Sequence, residues 1–244
     1  FSSPFSLEAV DLLESVGMKI YKIPSGEVNN IPLLEKIAKT GKKVLLSTGM
    51  SSWDELDLAV ETLKSNGCKD LTLLQCTSEY PCPTEESGLN VLDELKARYS
   101  KISIGYSDHT MGLAVPLAAV SKGAVVLEKH FTLSQKMYGS DARHSTEPED
   151  FKRLVDEVRQ TEIALSSSID KNQKVKSLKN MKMTFEKSIV ASKSINESKM
   201  LEFEDLAFKK PGDGIPAKDY QKLLGKKMRK SVKKDHKFNL SDFE

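Results

Sequence analysis

The chain has 244 residues, 39% hydrophobic and 30% charged, with a formal net charge of +2. That balance suits a folded chain that buries a core and excludes a disordered one. No apolar run approaches the roughly 18 residues a membrane span needs, and no basic segment leads into an apolar one as in a signal peptide. Cys68, Cys76 and Cys82 are odd in number and lack metal-ligand spacing. They point to a reducing, cytoplasmic setting, with Cys76 read as a small buried strand residue.

In chain order, "FSSPFSLEAVDLLESVG" reads as the end of one strand and its helix. Five apolar runs follow: "KIYKIPS" (19–25), "KVLLST" (43–48), "LTLLQCT" (71–77), "ISIGYS" (102–107) and "VVLEKHF" (125–131). Helical patterns fall at 31–40, 52–66, 89–99, 112–122 and 148–165. Ser52 with Glu55 and Thr146 with Glu149 have capping-box spacing, and Gly67 stands where a helix would stop. Strands alternating with helices predict βαβ units and a parallel sheet. A doubly wound sheet could stop at six such units, whereas a (β/α)8 barrel needs eight in about 250 residues. If this is a barrel, two units belong before Phe1, and the absence of an initiating Met agrees. Such a chain is expected to leave its barrel unclosed, with sheet edges open to aggregation.

Beyond about residue 166 the texture changes. "SSSIDKNQKVKSLKNMKM" reads as a polar linker or a loosely held helix, and the runs "KSIVASKSI", "EDLAFKKPGDGIP" and "RKSVKKDHKF" predict a small, mainly β domain. The boundaries expected are 1–166 for the α/β domain, 167–183 for the linker and 184–244 for the second domain. Residues 170–244 hold 19 basic against 11 acidic side chains, and residues 1–169 hold 18 against 24. With little Arg and no interleaved aromatics, the basic tail reads as a solvated Lys-rich surface; neither nucleic acid nor membrane is expected as a partner.

In parallel α/β folds ligands bind beyond the carboxyl ends of the strands. Reading those ends collects Ser2 and Ser3; Lys22, Ser25 and Glu27; Ser47 and Thr48; Gln75, Thr77, Ser78 and Tyr80; Ser107, Asp108 and His109; then Glu128, Lys129 and His130. Imidazoles from consecutive units, each beside an acid, suit a divalent metal or an acid/base role. His144 and His236 sit in loop-like sequence and are read as structural. Lys22 and Lys129, in or just after apolar runs, need an anion. A structural carboxylate such as Glu27 or Glu128 would serve, and so would a phosphate or carboxylate on a ligand, with hydroxyls of Ser25, Ser47 and Ser107 completing the cradle. "STGM" (47–50) adds a glycine turn before a helix.

"YKIPSGEVNNIPLL", "VLLSTGM", "LLQCTSEYPCP", "IGYSDHTMG" and "LEKHFTL" resemble, in order and spacing, the sialic acid synthase family, including the legionaminic acid synthases. "EDLAFKKPGDGI" resembles that family's C-terminal antifreeze-like (SAF) domain. The resemblance implies a (β/α)8 TIM barrel, here lacking its first two βα units, followed by a small mainly β SAF domain in a domain-swapped homodimer. It implies condensation of phosphoenolpyruvate with N-acetylmannosamine or a related amino-sugar aldehyde, using Mn²⁺ or Mg²⁺. Carried over by motif, His109 and His130 match metal ligands. Lys22, Glu27 and Glu128 match catalytic positions, with the two acids holding or relaying protons. Lys22, Ser25, Ser47, Ser78 and Ser107 match positions around the phosphate and carboxylate, and Lys129 joins them as an anion-binding residue. Tyr80 and Asp141 match positions facing the sugar, and Ser3 falls where a small hydroxyl residue sits. Three departures stand out: Gln75 replaces a His, Lys210 replaces an Arg that reaches the sugar's acyl group from the partner subunit, and the acid and lysine of the first two strands are missing. Lysine cannot reproduce a planar bidentate contact, so acyl specificity is in question. The other readings left open are a different phosphoenolpyruvate-dependent sugar-acid synthase and a non-catalytic fragment that binds carbohydrate or a partner chain.

Overall fold

Side-chain caps start the first helices where the apolar pattern asks for them. In the computed structural model, which describes residues 1–244, Ser52 and Glu55 form a complete capping box at the start of α3 (Trp53–Ser65). Ser6 caps α1 (Leu7–Ser15), and Asn30 caps α2 (Ile31–Lys39). Gly67 follows α3 at φ 112°, a left-handed position suited to glycine. The expected box of Thr146 with Glu149 does not form. The Thr146 backbone is already engaged, its amide donating to the His130 carbonyl (2.8 Å) and its carbonyl accepting from Thr132 (3.0 Å). Helix α6 (Pro148–Ser166) therefore begins one residue later than that box would place it, behind Glu147.

Strands β1 (Ile20–Ile23), β2 (Lys43–Ser47), β3 (Leu71–Cys76), β4 (Ser103–Asp108) and β5 (Leu127–Lys129) form one parallel sheet in the order β1-β2-β3-β4-β5. Helices α4 (Val91–Arg98) and α5 (Ala114–Ser121) complete the alternation. A strictly sequential order is that of a barrel wall, because a doubly wound sheet reverses at a switch point. Ser2 adds a parallel bridge to Tyr21, so "FSSPF" does contribute the end of a further strand. The sheet is the curled parallel wall of a barrel-type α/β fold.

Successive strand residues face opposite sides. Tyr21, Ile23, Val44, Leu46, Leu71, Leu73, Ile104 and Tyr106 pack under the helices in one core, against Leu33, Leu34, Ile37, Leu56, Leu63, Leu92 and Leu95. Lys22, Leu45, Ser47, Leu74, Cys76, Gly105 and Ser107 occupy the alternate positions. Gly105 is required by close packing: a Cβ there would lie 2.7 Å from the Val126 carbonyl oxygen. That carbonyl accepts the Tyr106 amide (2.8 Å), so β4 and the β5 segment could not pair as closely with any larger residue.

The remaining residues, Ser168–Glu244, form a separate unit. The segment read as a linker contains two short helices, α7 (Lys171–Ser177) and α8 (Lys179–Phe185). Strand β6 (Ser188–Ala191) pairs antiparallel with β7 (Leu206–Lys209), whereas "RKSVKKDHKF" supplies isolated bridges and no full strand. Ile189, Ala191, Leu201, Met228, Phe238 and Phe243 make its core. Two fully buried acids anchor its loops. Asp205 accepts Lys199 on both oxygens (2.5 and 2.6 Å) and the Glu202 amide (3.1 Å). Asp242 takes the His236 ring (2.9 Å) and Lys230 (2.8 Å), which gives His236 the structural role read for it.

Desolvation alone would raise the Asp205 carboxyl, but hydrogen bonds from Lys199 and Glu202 outweigh it and hold the group below its ordinary value. A depressed carboxyl stabilises above its unfolded value, about pH 4, and that contribution is lost as pH falls through the folded value. Asp205→Asn is expected to lower the melting temperature of this unit at neutral pH and to flatten its acid limb, read by circular dichroism from pH 7 to 2. In the first unit, Leu73→Ala should cost about 2–5 kcal/mol in urea unfolding, since Leu73 is fully buried.

Candidate active site

The residues that alternation turns away from the helices converge at the carboxyl ends of the strands. Lys22 is buried, and its Nζ donates to Ser47 Oγ (2.8 Å) and the Ile23 carbonyl (3.3 Å). Glu128 Oε1 stands 3.5 Å from the same ammonium and accepts the Ser107 hydroxyl (2.7 Å). Side chains of β1, β2, β4 and β5 thus share one charged network. It lines a cavity of about 270 Å³ with Ser3, Ser25, Cys76, Tyr80, His109 and His130.

His109 and His130 come together there, their ring centroids 5.0 Å apart and Tyr80 4.3 Å from His109. His109 Nδ1 lies 2.5 Å from the Thr77 carbonyl oxygen, which can only accept, so Nδ1 carries the proton and Nε2 keeps its lone pair. The Thr77 hydroxyl sits 3.2 Å from the same nitrogen and accepts the His109 amide (3.3 Å). Burial pushes both imidazoles below their ordinary value, and for His130 the neighbouring His109 adds to it. Both rings are therefore neutral lone-pair donors. Asp141 Oδ2 is 3.5 Å from His130 Nδ1, longer than a good hydrogen bond.

A second feature adjoins the cavity at Ser25. The hydroxyls of Ser25 and Ser78 are buried without a partner. Both converge on Gly49, where a Cβ would lie 2.9 Å from Ser25 Oγ, 3.0 Å from the Cys76 carbonyl and nearer still to Ser78 Oγ. Unpaired buried hydroxyls are costly, and two of them around a glycine form a cradle shaped for an anion's oxygens.

Not every residue expected at the site reaches it. Lys129 does not line the cavity: one residue out of phase with Glu128 and His130, it turns to the other face and is buried against Asp108 (2.5 Å) and the Thr110 carbonyl (2.7 Å). A structural carboxylate, one of the two answers the sequence left open, supplies the anion it needs. Glu27, in the turn after β1, accepts the Asn30 amide group (2.7 Å) and lies outside the cavity lining. Gln75 also faces away, toward Asn90 and Glu94. Lys210 belongs to the second unit, with Nζ 4.8 Å from the centroid of the Phe185 ring. His144 lies apart from the paired rings, in the lining of another cavity. Sequence reasoning marked the glycine turn of "STGM" as an anion site but passed over the role of Thr77. Thr77 acts through its main-chain carbonyl, which no residue type announces.

The donor set suits a divalent cation. No group of three or more His, Cys, Asp or Glu gathers at metal-binding distance, so an ion held by His109 and His130 would keep positions open for water and substrate.

Several known proteins are similar to this chain over most of its length. An N,N'-diacetyllegionaminic acid synthase of Campylobacter jejuni is 45% identical over 236 residues, 96% of this chain and 70% of its own length. A pseudaminic acid synthase of the same species is 38% identical over 245 residues, covering all of this chain and 70% of its own. The solved N-acetylneuraminic acid synthetase of Leptospira borgpetersenii superposes with a TM-score of 0.67 at 33% identity, over 73% of this chain and 64% of that one. Residues 186–244 match the SAF domain. Residues 1–170 match the NeuB family, and the chain belongs to that family.

Proposed function

We propose that the cavity is the active centre of a nonulosonic acid synthase that condenses phosphoenolpyruvate with an amino-sugar aldehyde and releases phosphate. The observation that carries this reading is the pairing of two neutral imidazoles 5.0 Å apart with a buried ammonium and the unpaired Ser25 hydroxyl around one cavity. The names of the relatives support a nonulosonic acid product.

Lys22, Ser25, Ser47, Ser78 and Ser107 hold the phosphate and carboxylate of phosphoenolpyruvate. The Lys22 ammonium supplies charge, and the cradle at Gly49 supplies donors already in place. His109 and His130 would hold a Mn²⁺ or Mg²⁺ ion, whose chemistry there would be to polarise the aldehyde oxygen. Carbon C3 of the enol then bonds to the aldehyde carbon, whose oxygen takes up a proton. Water adds at C2, and phosphate leaves as the C2–O bond breaks. Glu128, held by Ser107 and Lys22, is the carboxylate placed to take the proton of that water. Tyr80 and Asp141 flank His109 and His130 and face the sugar. Ser3 adds a hydroxyl to the same lining, while Glu27 serves from the adjoining turn. Lys210 contacts the sugar's acyl group in a swapped homodimer.

His109→Ala and His130→Ala should each weaken Mn²⁺ binding by more than the roughly 10–100-fold that loss of an outer partner costs, and abolish metal-dependent phosphate release. Activity retained at fixed Mn²⁺ would remove both from the ligand set. Gly49→Ala fills the cradle, and overpacking of about 1–3 kcal/mol corresponds to a KM for phosphoenolpyruvate raised about 5-fold or more. Phosphate-release kinetics checks this, and an unchanged KM would place the anion elsewhere.

A further inference from the structure

Asp108 and Lys129 stand directly opposite one another in the β4–β5 register. Theirs is the last of three register pairs, because β5 ends at Lys129. No ladder beyond it holds the two chains together before they deliver His109 and His130 to the cavity. On the face away from the cavity, Lys129 Nζ donates to Asp108 Oδ2 (2.5 Å) and to the Thr110 carbonyl (2.7 Å). Asp108 Oδ1 accepts the Thr110 amide (3.0 Å) and hydroxyl (2.8 Å). Their side chains are 5% and 1% exposed, and the charges answer each other.

A buried ion pair is a poor source of net stability, since desolvation consumes most of the attraction, and the attraction repays that cost only where the geometry is good. Asp108 and Lys129 each immediately precede a cavity histidine, and alternate strand residues point to opposite faces. A change in the spacing of the pair on one face therefore changes the spacing of the imidazoles on the other. The bond from Lys129 to the Thr110 carbonyl extends the hold past His109 into the loop that follows.

We propose that Asp108 and Lys129 are positioning residues, a strut on the outer face of the sheet that sets the separation of His109 and His130 needed to share one divalent cation. The inference rests on the reading of those histidines as a metal pair. Neither residue touches substrate or cation; the strut acts through the register alone.

The test is Mn²⁺ affinity of the full-length protein, measured by electron paramagnetic resonance with Mn²⁺ alone, below the melting temperature of each variant. Lys129→Met should weaken binding by about 10–100-fold, as loss of an outer partner does elsewhere. Lys129→Arg keeps charge and donors and should recover most of that affinity. Lys129→Met leaves Asp108 without its cation and could fail to fold, so the neutral double variant Asp108→Asn with Lys129→Gln is measured beside it. Glutamine is too short to span the gap, and this variant should also bind Mn²⁺ weakly. A folded Lys129→Met or double variant with wild-type affinity would overturn the strut while leaving the metal pair intact. A wild-type protein that does not bind Mn²⁺ would overturn the metal pair itself, and the strut with it.

Discussion

The period of two along a parallel strand is the constraint on which the site depends. In β1 it sends Tyr21 and Ile23 under the helices and Lys22 to the other face, where the ammonium meets Ser47 and Glu128. In β4 and β5 it separates Asp108 and Lys129 from Ser107, Glu128 and the two histidines. A one-residue slip would exchange the faces, placing apolar side chains in the cavity and imidazoles under α5. Gly105 permits the close pairing at the Val126 carbonyl that the observed register needs.

Within the cavity, the same desolvation acts differently on different groups. It keeps His109 and His130 neutral, as lone-pair donors must be. Lys22 shares the cavity with Glu128 and two hydroxyls, so its charge has partners before any ligand arrives. Ser25 and Ser78 hold hydroxyls with no protein partner, a local cost that a bound anion would relieve. Groups fixed in this way need little rearrangement when a ligand enters, which is where preorganised electrostatics differs from water.

The second unit reaches order by other means. Its sheet has only two strands, and its loops are gathered by two buried acids, Asp205 held by two lysines and a main-chain amide and Asp242 by Lys230, the His236 ring and a main-chain amide. Part of the basic excess of residues 170–244 is explained here, since Lys193, Lys199 and Lys230 answer acids of the same unit.

The sequence by itself determined the alternation of strands and helices, the start of α3 and the rim that would hold polar groups. These depend on local period, caps and turns, which act within a few residues. Motif order also carried the family. Which face each rim residue chose was decided only by the tertiary structure. Lys129 and His130 are neighbours in the chain, yet one neutralises Asp108 outside the sheet and the other joins His109 inside it. The failed cap at Thr146 has the same origin, a backbone bridge to a distant strand that outcompetes a local side chain. The orphaned hydroxyls around Gly49 and the Thr77 carbonyl that orients His109 arise from three-dimensional approach. No local pattern encodes a separation between atoms brought together from different strands.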